Sequence, residues 1–213
     1  VRAILHMLTP ETTSVGGDAD FARYSAIAVG PGWGEGTTAR ETLARAVAAS
    51  VPGIFDADAL NLAGPAAFFA GRTAPTVLTP HPGEAGRLLG MTADDVNADR
   101  EAAAVRIARA ARAVVILKGF RPVVADASGR VSTVLAGNPA LASGGTGDVL
   151  TGVVGALLAR GLSAWDAASA AAWLHGTAGD VLREAKGEES VTASDVAEAL
   201  PDAFLIAREA AAG

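Results

Sequence analysis

The chain has 213 residues, of which 50% are hydrophobic and 19% are charged, so it can bury one sizeable core and is expected to form a single domain over residues 1–213. Its net charge of -6 disfavours a nucleic-acid partner, because phosphate backbones are bound by clustered basic residues. It contains no cysteine, which excludes disulfides, thiolate metal sites and a cysteine nucleophile. The uncharged stretch 149–159 is too short to cross a bilayer, so we expect no membrane partner. The lack of cysteine fits a reducing interior, and we expect a cytoplasmic protein.

Alternating strand and helix patterns occupy the first half of the chain. Apolar runs bounded by glycine or proline predict strands at Ile27–Val29, 53–56, Thr76–Leu78 and Val114–Leu117. Helical spacing predicts a helix over 37–49, capped by its leading threonines, and another over 92–112. Thr92 and Asp95 give the second helix a capping-box pattern. The alternation predicts an α/β fold with a mostly parallel sheet and helices on both faces.

The pattern changes after the fourth strand. Two apolar segments, 122–125 and 130–135, flank the polar turn 126–129 and predict a hairpin. Helical patterns follow at 148–160, at 164 to about 184 with Ser163 as cap, and at 193 to about 211 with Thr192 as cap. The sequence therefore predicts that helices close the domain.

A glycine-rich stretch, 142–147, runs into an apolar helix and is the strongest local signal for function. Glycines allow close approach of an anion, and the N–H groups at a helix start stabilise negative charge. The stretch lacks the lysine of a Walker-type phosphate loop, so a Walker NTPase is not supported. Asp148 could accept the proton of a hydroxyl that attacks a phosphoryl group. On the residues alone, an acidic residue that only suits a helix start explains Asp148 equally well.

A second signal is the segment 78–84, which reads L-T-P-H-P-G-E after a predicted strand. Its prolines fix the backbone so that His81 and Glu84 project at a strand end, where ligands of parallel sheets bind. Glu84 could hold a hydrated Mg²⁺ or a water molecule. The plainer interpretation is that Glu84 suits the first turn of a helix and His81 lies on the surface.

Further short segments follow other predicted strands. Residues 30–34 read G-P-G-W-G and not G-x-G-x-x-G, so a Rossmann dinucleotide site is only weakly supported. Residues 56–61 carry two carboxylates and an amide, which could bind Mg²⁺ or polar groups, although a turn explains them better on their own. Lys118 ends the fourth strand and could pair with phosphate oxygens. His6 and His175 have no evident partners and are interpreted as structural.

Taken together and in order, these blocks resemble the ADP- or ATP-dependent NAD(P)H-hydrate dehydratase family, whose fold is similar to that of ribokinase. The matching blocks are G-P-G-x-G at 30–34, D-A-D-A-L-N at 56–61, L-T-P-H-P-G-E at 78–84, L-K-G at 117–119 and G-N-P-x-L-A-x-G-G-T-G-D-V-L-x-G at 137–152. The resemblance spans the chain from about Pro10 onward. It implies a three-layer α/β/α ribokinase-like fold.

The resemblance also implies a reaction. The nucleotide phosphorylates the hydroxyl of the S-epimer of hydrated NADH or NADPH, phosphate then leaves, and NAD(P)H is restored with AMP or ADP as by-product. Mg²⁺ and ADP or ATP are the implied cofactors, and Asp148 is the implied catalytic base. The implied substrate-binding residues are Gly32, Gly34, Asn61, His81, Glu84 and Asp148. The implied nucleotide-binding residues are Lys118, Gly119, Asn138, Gly145, Thr146 and Gly147, and no residues are assigned to a protein-held metal.

The sequence departs from the family pattern in two places. Pro122 stands where the family's K-G-x-x-T pattern has a hydroxyl, which removes one expected nucleotide contact. The family's N-terminal strand, glycine-rich turn and helix have no counterpart, so we expect that segment to be missing. The resemblance further implies a homo-oligomer such as a tetramer, and an epimerase domain fused N-terminally in some bacterial relatives. It favours ADP over ATP without fixing the choice.

Two other functions fit parts of the sequence. A ribokinase-like kinase of a small molecule such as hydroxyethylthiazole would share the glycine-rich loop and the fold. A nucleotide-binding domain without catalysis would also retain the loop. The blocks at 56–61 and 78–84 favour the dehydratase over both.

Overall fold

A single six-stranded sheet forms the centre of the molecule in the computed structural model, which describes residues 19–212. Each strand pairs with its neighbour in sequence. The strands are β1 (Ile27–Val29), β2 (Gly53–Phe55), β3 (Thr76–Leu78), β4 (Val114–Leu117), β5 (Val123–Ala125) and β6 (Val131–Thr133). Strands β1 to β4 are parallel, whereas β5 and β6 continue the sheet as an antiparallel hairpin. The predicted parallel strands and the predicted hairpin are confirmed.

Helices cover both faces of this sheet. They are α1 (Thr37–Ala48), α2 (Asp58–Ala63), α3 (Pro82–Leu89), α4 (Ala93–Ala98), α5 (Arg100–Ala111), α6 (Thr146–Ala159), α7 (Ala164–Lys186) and α8 (Ala193–Ala212). Short 3-10 helices lie at Phe21–Arg23, Ala66–Phe69 and Pro139–Ala142.

The core is divided into two layers by the sheet. Successive residues of a strand point to opposite faces, and Phe55 packs with α1 to α5 while its neighbour Ile54 packs with α6 to α8. Both side chains are fully buried. The three-layer α/β/α architecture is therefore confirmed.

Two local predictions need correction. Residues 56–61, predicted as a turn on the residues alone, have only two residues before α2, which begins at Asp58. The helix predicted over 92–112 is interrupted at Asp99, whose backbone is not helical (φ -147°) and whose side chain accepts a hydrogen bond from the N–H of Ala102 at 3.0 Å. Asp99 thereby ends α4 and caps α5, because its carboxylate satisfies a free N–H group at the new helix start.

The predicted helix caps have mixed outcomes. The Thr92–Asp95 capping box and the Ser163 cap are confirmed, and Thr192 accepts a hydrogen bond from the N–H of Asp195 at 3.3 Å. The prediction for α1 is wrong, since its cap is Gly36 and both threonines lie inside the first turn.

The buried side chain of Arg72 links α1 to the sheet through hydrogen bonds. Its guanidinium donates hydrogen bonds to backbone carbonyls at and beyond the end of α1, including that of Val51 at 2.8 Å, and to Thr76 Oγ1 at 2.9 Å. The group also lies 4.9 Å from the ring centroid of Phe55. Burial lowers the pKa of Arg72 to about 10.

Within residues 19–212, no helix combines the length and the apolar character needed to span a bilayer. The prediction that the family's N-terminal strand, turn and helix are missing concerns residues outside those described, as does the interpretation of His6, and both stay predictions.

Candidate active site

Polar side chains gather where the parallel strands end. Asp56 follows β2, the segment 79–84 follows β3, and Lys118 follows β4. Parallel sheets bind ligands at this edge, because the loops after the strands open there. The arrangement identifies the edge as the candidate site.

Lys118 and Asp56 form a short ion pair at the centre of this edge. Lys118 Nζ lies 2.6 Å from Asp56 Oδ1, and Thr151 Oγ1 of α6 donates a hydrogen bond to Asp56 Oδ2 at 2.8 Å. Asp56 is only 1% exposed. A carboxylate so buried is stable only when its charge is paired and its oxygens are hydrogen-bonded, and both conditions are met.

Glu84 connects this ion pair to His81. The N–H of His81 donates to Glu84 Oε2 at 2.8 Å, and His81 Nδ1 accepts a hydrogen bond from the N–H of Gly83 at 3.0 Å, which forms a capping box for α3. Lys118 Nζ lies 3.8 Å from Glu84 Oε2. The helix-start interpretation of Glu84 is thus confirmed, and the buried carboxylate also faces the lysine of the candidate site.

The glycine-rich loop ends at the start of α6. Gly145 adopts a left-handed conformation (φ 87°) and caps the helix, while Thr146 Oγ1 donates to the backbone carbonyl oxygen of Leu141 at 2.7 Å. Asp148 lies in the first turn and is exposed. Its carboxylate has no hydrogen-bond or ion-pair partner among the described residues, so it is available to a ligand.

A cavity of about 350 Å³ opens beside this helix start. Most of the residues implied to bind nucleotide line it, namely Lys118, Gly119, Asn138, Thr146 and Gly147. Pro122 lines it too, at the position where the family pattern has a hydroxyl. The remaining walls are largely apolar, with Leu141 and Leu150 among them, as is common in pockets for small molecules.

The residues implied to bind substrate lie outside the cavity lining. The N–H of Gly34 donates to Asp58 Oδ2 at 2.7 Å, and Asn61 Oδ1 accepts from Arg87 Nε at 2.9 Å. Gly32 has a positive φ of 70° and faces open space. Lys118 lies between the two groups, since it lines the cavity and also contacts Glu84.

Two polar residues of α7 were not recognised as part of the site from the sequence. Asp180 accepts hydrogen bonds from the N–H of Gly137 and from Asn138 Nδ2, both at 2.9 Å. His175 Nε2 lies 2.9 Å from the carbonyl oxygen of Thr146. Burial lowers the pKa of His175, so its neutral ring donates to that carbonyl near pH 7. Both residues fix loops that border the cavity.

The chain resembles known proteins in sequence and in fold. The sequence profile of the NAD(P)H-hydrate dehydratase family matches residues 2–202. The chain belongs to this family. Within it, the chain is 44% identical over 168 residues to the ADP-dependent (S)-NAD(P)H-hydrate dehydratase of Neisseria meningitidis, covering 76% of this chain and 57% of that protein. It is 41% identical over 186 residues to the bifunctional NAD(P)H-hydrate repair enzyme of Moorella thermoacetica, covering 85% of this chain but only 34% of the relative.

Solved structures of this family and of its wider superfamily share the fold. The ADP/ATP-dependent NAD(P)H-hydrate dehydratase of Bacillus subtilis, co-crystallised with ATP and Mg²⁺, superposes with a TM-score of 0.86 at 29% identity over 95% of this chain and 76% of that chain. A ribokinase-like superfamily protein of Enterococcus faecalis gives a TM-score of 0.79 at 28% identity, over 94% and 72% of the two chains. The predicted ribokinase-like fold is confirmed.

Proposed function

We propose that this chain catalyses the ADP- or ATP-dependent dehydration of the S-epimer of hydrated NADH or NADPH, restoring NAD(P)H with release of AMP or ADP and phosphate. The observation that carries the proposal is the exposed, unpaired Asp148 at the start of α6, beside a cavity lined by the predicted nucleotide-binding residues. The names of the dehydratase relatives and the matching family profile support the choice of reaction.

The nucleotide would lie in the cavity with its terminal phosphoryl group toward Lys118 and the start of α6. The ammonium of Lys118 and the positive end of the helix dipole would then face the charge that develops on the transferred group. Gly147 faces Lys118, since a Cβ atom at residue 147 would lie 3.5 Å from Lys118 Nζ. Because glycine has no Cβ, the space between the helix start and the ammonium stays open for the phosphoryl group. Catalysis would thus consist mainly of positioning and electrostatic stabilisation.

Asp148 would act as the base. It takes the proton of the substrate hydroxyl as that oxygen bonds to the terminal phosphorus and the bond from phosphorus to the nucleotide breaks. The phosphorylated ring then loses phosphate through cleavage of its C–O bond, and the adjacent ring carbon loses a proton to restore the double bond. The sum is loss of water from the hydrate and cleavage of one phosphoanhydride.

The hydrated dinucleotide would bind on the side of Gly32, Gly34, Asn61, His81 and Glu84. Lys118 separates this group from the cavity, so the hydroxyl and the phosphoryl group would meet next to it. Asn138 would act on the nucleotide through loop geometry, since its amide already bonds to Asp180 and to the N–H of Ala140.

Mg²⁺ would enter with the nucleotide. Within residues 19–212 no group of three or more metal-binding side chains is placed to hold an ion, and Asp56 and Glu84 both face the ammonium of Lys118. The described residues therefore do not fit a protein-held Mg²⁺ site. Mg²⁺ is commonly bound through substrate phosphates with few protein ligands, which is compatible with this arrangement.

The proposal also covers the cellular location, the oligomeric state and a partner domain. We propose a cytoplasmic homo-oligomer that acts together with an epimerase domain, whether fused or separate. The bifunctional relatives support a second repair domain as partner. In the Moorella thermoacetica protein this chain matches only 34% of the length. Light scattering after size-exclusion chromatography would measure the oligomer, and a monomer at micromolar concentration would refute that part.

The decisive experiment adds hydrated NADPH, Mg²⁺ and either ADP or ATP to the purified chain and follows the absorbance of the reduced nicotinamide. We expect the absorbance to return with at least one nucleotide, and Asp148→Asn to lower the rate about 10²- to 10⁴-fold, as for loss of a general base. Asp94→Asn is the matched control, because Asp94 is also an exposed aspartate in a first helical turn.

Each alternative result has a definite meaning. A rate for Asp148→Asn close to that of the wild type would exclude Asp148 as the base. Nucleotide consumption without return of the absorbance would favour a small-molecule kinase. Nucleotide binding without any consumption would favour a binding domain that lacks catalysis.

A further inference from the structure

We propose that Asp56 is a positioning residue that holds the ammonium of Lys118 in place for phosphoryl transfer. The kinetic part of this inference rests on the proposed function, whereas its binding part requires only that the cavity accepts a nucleotide. Asp56 itself does not line the cavity and acts through Lys118.

Both carboxylate oxygens of Asp56 have a hydrogen-bond partner. One oxygen binds Lys118 Nζ at 2.6 Å and the other accepts from Thr151 Oγ1 at 2.8 Å. Asp56 directly follows β2, Lys118 directly follows β4 and Thr151 lies in α6, so the contact joins the sheet to the helix that starts at the glycine-rich loop. A lysine that has four flexible side-chain bonds is thereby restricted to one position.

The backbone around Asp56 is held in an unusual conformation. Ala57 has a positive φ of 48° although it is not glycine. Gly30 packs so closely that a Cβ atom there would overlap the carbonyl oxygen of Asp56 and lie 2.8 Å from the Cβ of Ala59. Strained backbone of this kind persists only where surrounding contacts enforce it, and it occurs often at functional sites.

Lys118 is also fixed from its backbone side. Its N–H donates to the carbonyl of Pro80 at 2.8 Å, and its own carbonyl accepts from Arg100 Nη2 at 3.1 Å. With main chain and ammonium both anchored, the charge lies next to Gly147, at the start of α6. The structure therefore supplies a preorganised cation, which costs no rearrangement when charge develops.

Asp56→Asn tests the inference, because it keeps the shape and one acceptor oxygen while it removes the charge that anchors Lys118. We expect kcat to fall at least about tenfold, with the KM for hydrated NADPH nearly unchanged, since a displaced cation affects transfer more than substrate binding. Asp126→Asn is the control. It removes an ion pair with Arg130, of 3.0 Å, in the turn between β5 and β6, and neither residue lines the cavity.

A double-mutant cycle separates positioning from a structural role. If Asp56 acts through Lys118, Asp56→Asn should change neither kcat nor ADP affinity when added to Lys118→Met. In calorimetry, Asp56→Asn alone should weaken ADP binding about tenfold, because the ammonium of Lys118 is no longer held toward the phosphates and its charge-assisted hydrogen bond to them is lost. Thermal unfolding of every variant shows whether the fold is retained.

The kinetic and calorimetric results decide whether Asp56 acts through Lys118. Additive effects in the double variant would overturn the inference, because Asp56 would then act independently of Lys118. Tighter ADP binding by Asp56→Asn would also overturn it, because Asp56 would then only repel the phosphates. A wild-type chain that binds ADP but does not turn over hydrated NADPH would refute the proposed function, while the calorimetric cycle would still decide the role of Asp56.

Discussion

Gly30 is the position where a single added methyl group should disturb the site most. It follows β1 directly, has a φ of 122°, and faces the main chain after β2. In Gly30→Ala the new Cβ atom would overlap the carbonyl oxygen of Asp56 and lie 2.8 Å from the Cβ of Ala59, whereas ordinary contacts between carbon atoms begin near 3.5 Å. The end of β2 would have to move, and the Asp56–Lys118 pair with it.

The expected cost has two parts. Overpacking of a close contact costs about 1–3 kcal/mol, and a side chain at this positive φ costs about another 1–3 kcal/mol. For a chain of this size each kcal/mol lowers the melting temperature by about 2–4 °C, so Gly30→Ala should lower it on the order of 10 °C. Turnover of hydrated NADPH should fall as well, because Lys118 loses its anchor.

Gly32→Ala is the matched control for stability. Gly32 also has a positive φ, of 70°, but a Cβ atom there would have no neighbour within 4 Å. It should therefore cost about 1–2 kcal/mol from backbone strain alone. Differential scanning calorimetry of both variants measures the difference. Equal melting temperatures would refute the reasoning, since the close approach to Asp56 would then impose no constraint.

Two further predictions concern buried polar side chains. Arg72→Met should lower the free energy of unfolding by about 3 kcal/mol, because the carbonyls beyond α1 lose their donor; urea unfolding measures this, and a change below about 1 kcal/mol would contradict it. His175 has a pKa below the ordinary 6.5, so the stability that it contributes is present above that pH and is lost as the pH falls through the window below it. His175→Gln should remove this pH dependence of unfolding, and an unchanged profile would contradict the assignment.

Local signals explain most of what could be predicted from the sequence about the fold. The strands are short apolar runs between turn residues, and the caps at Thr92 and Ser163 depend on residues within three positions. The helix break at Asp99 was not predicted, because the apolar pattern continues through it and only the capping hydrogen bond to Ala102 shows the new start. The threonines of α1 failed as caps because the preceding glycine takes that position.

The site was predictable only in part. Motif residues such as Lys118 and Thr146 could be identified in the sequence, and the structure places both at one cavity. The role of Asp56 depends on a contact with a residue 62 positions away, and that of Asp180 on a contact 42 positions away. Neither pair leaves a local pattern, since only the folded sheet and α7 bring the partners together.

The division of the core between the two faces of the sheet has a consequence for synthesis on the ribosome. Within residues 19–212, the strands and the helices of one face, up to residue 133, precede the helices of the other face, which begin at Thr146. At a synthesis rate of about 5–20 residues per second, the helices of the second face are completed on the order of ten seconds after the sheet. During this interval Ile54, Val77 and Ile116 remain open to water and to chaperones. The glycine-rich loop also appears only then, so the nascent chain completes the proposed site together with its second layer.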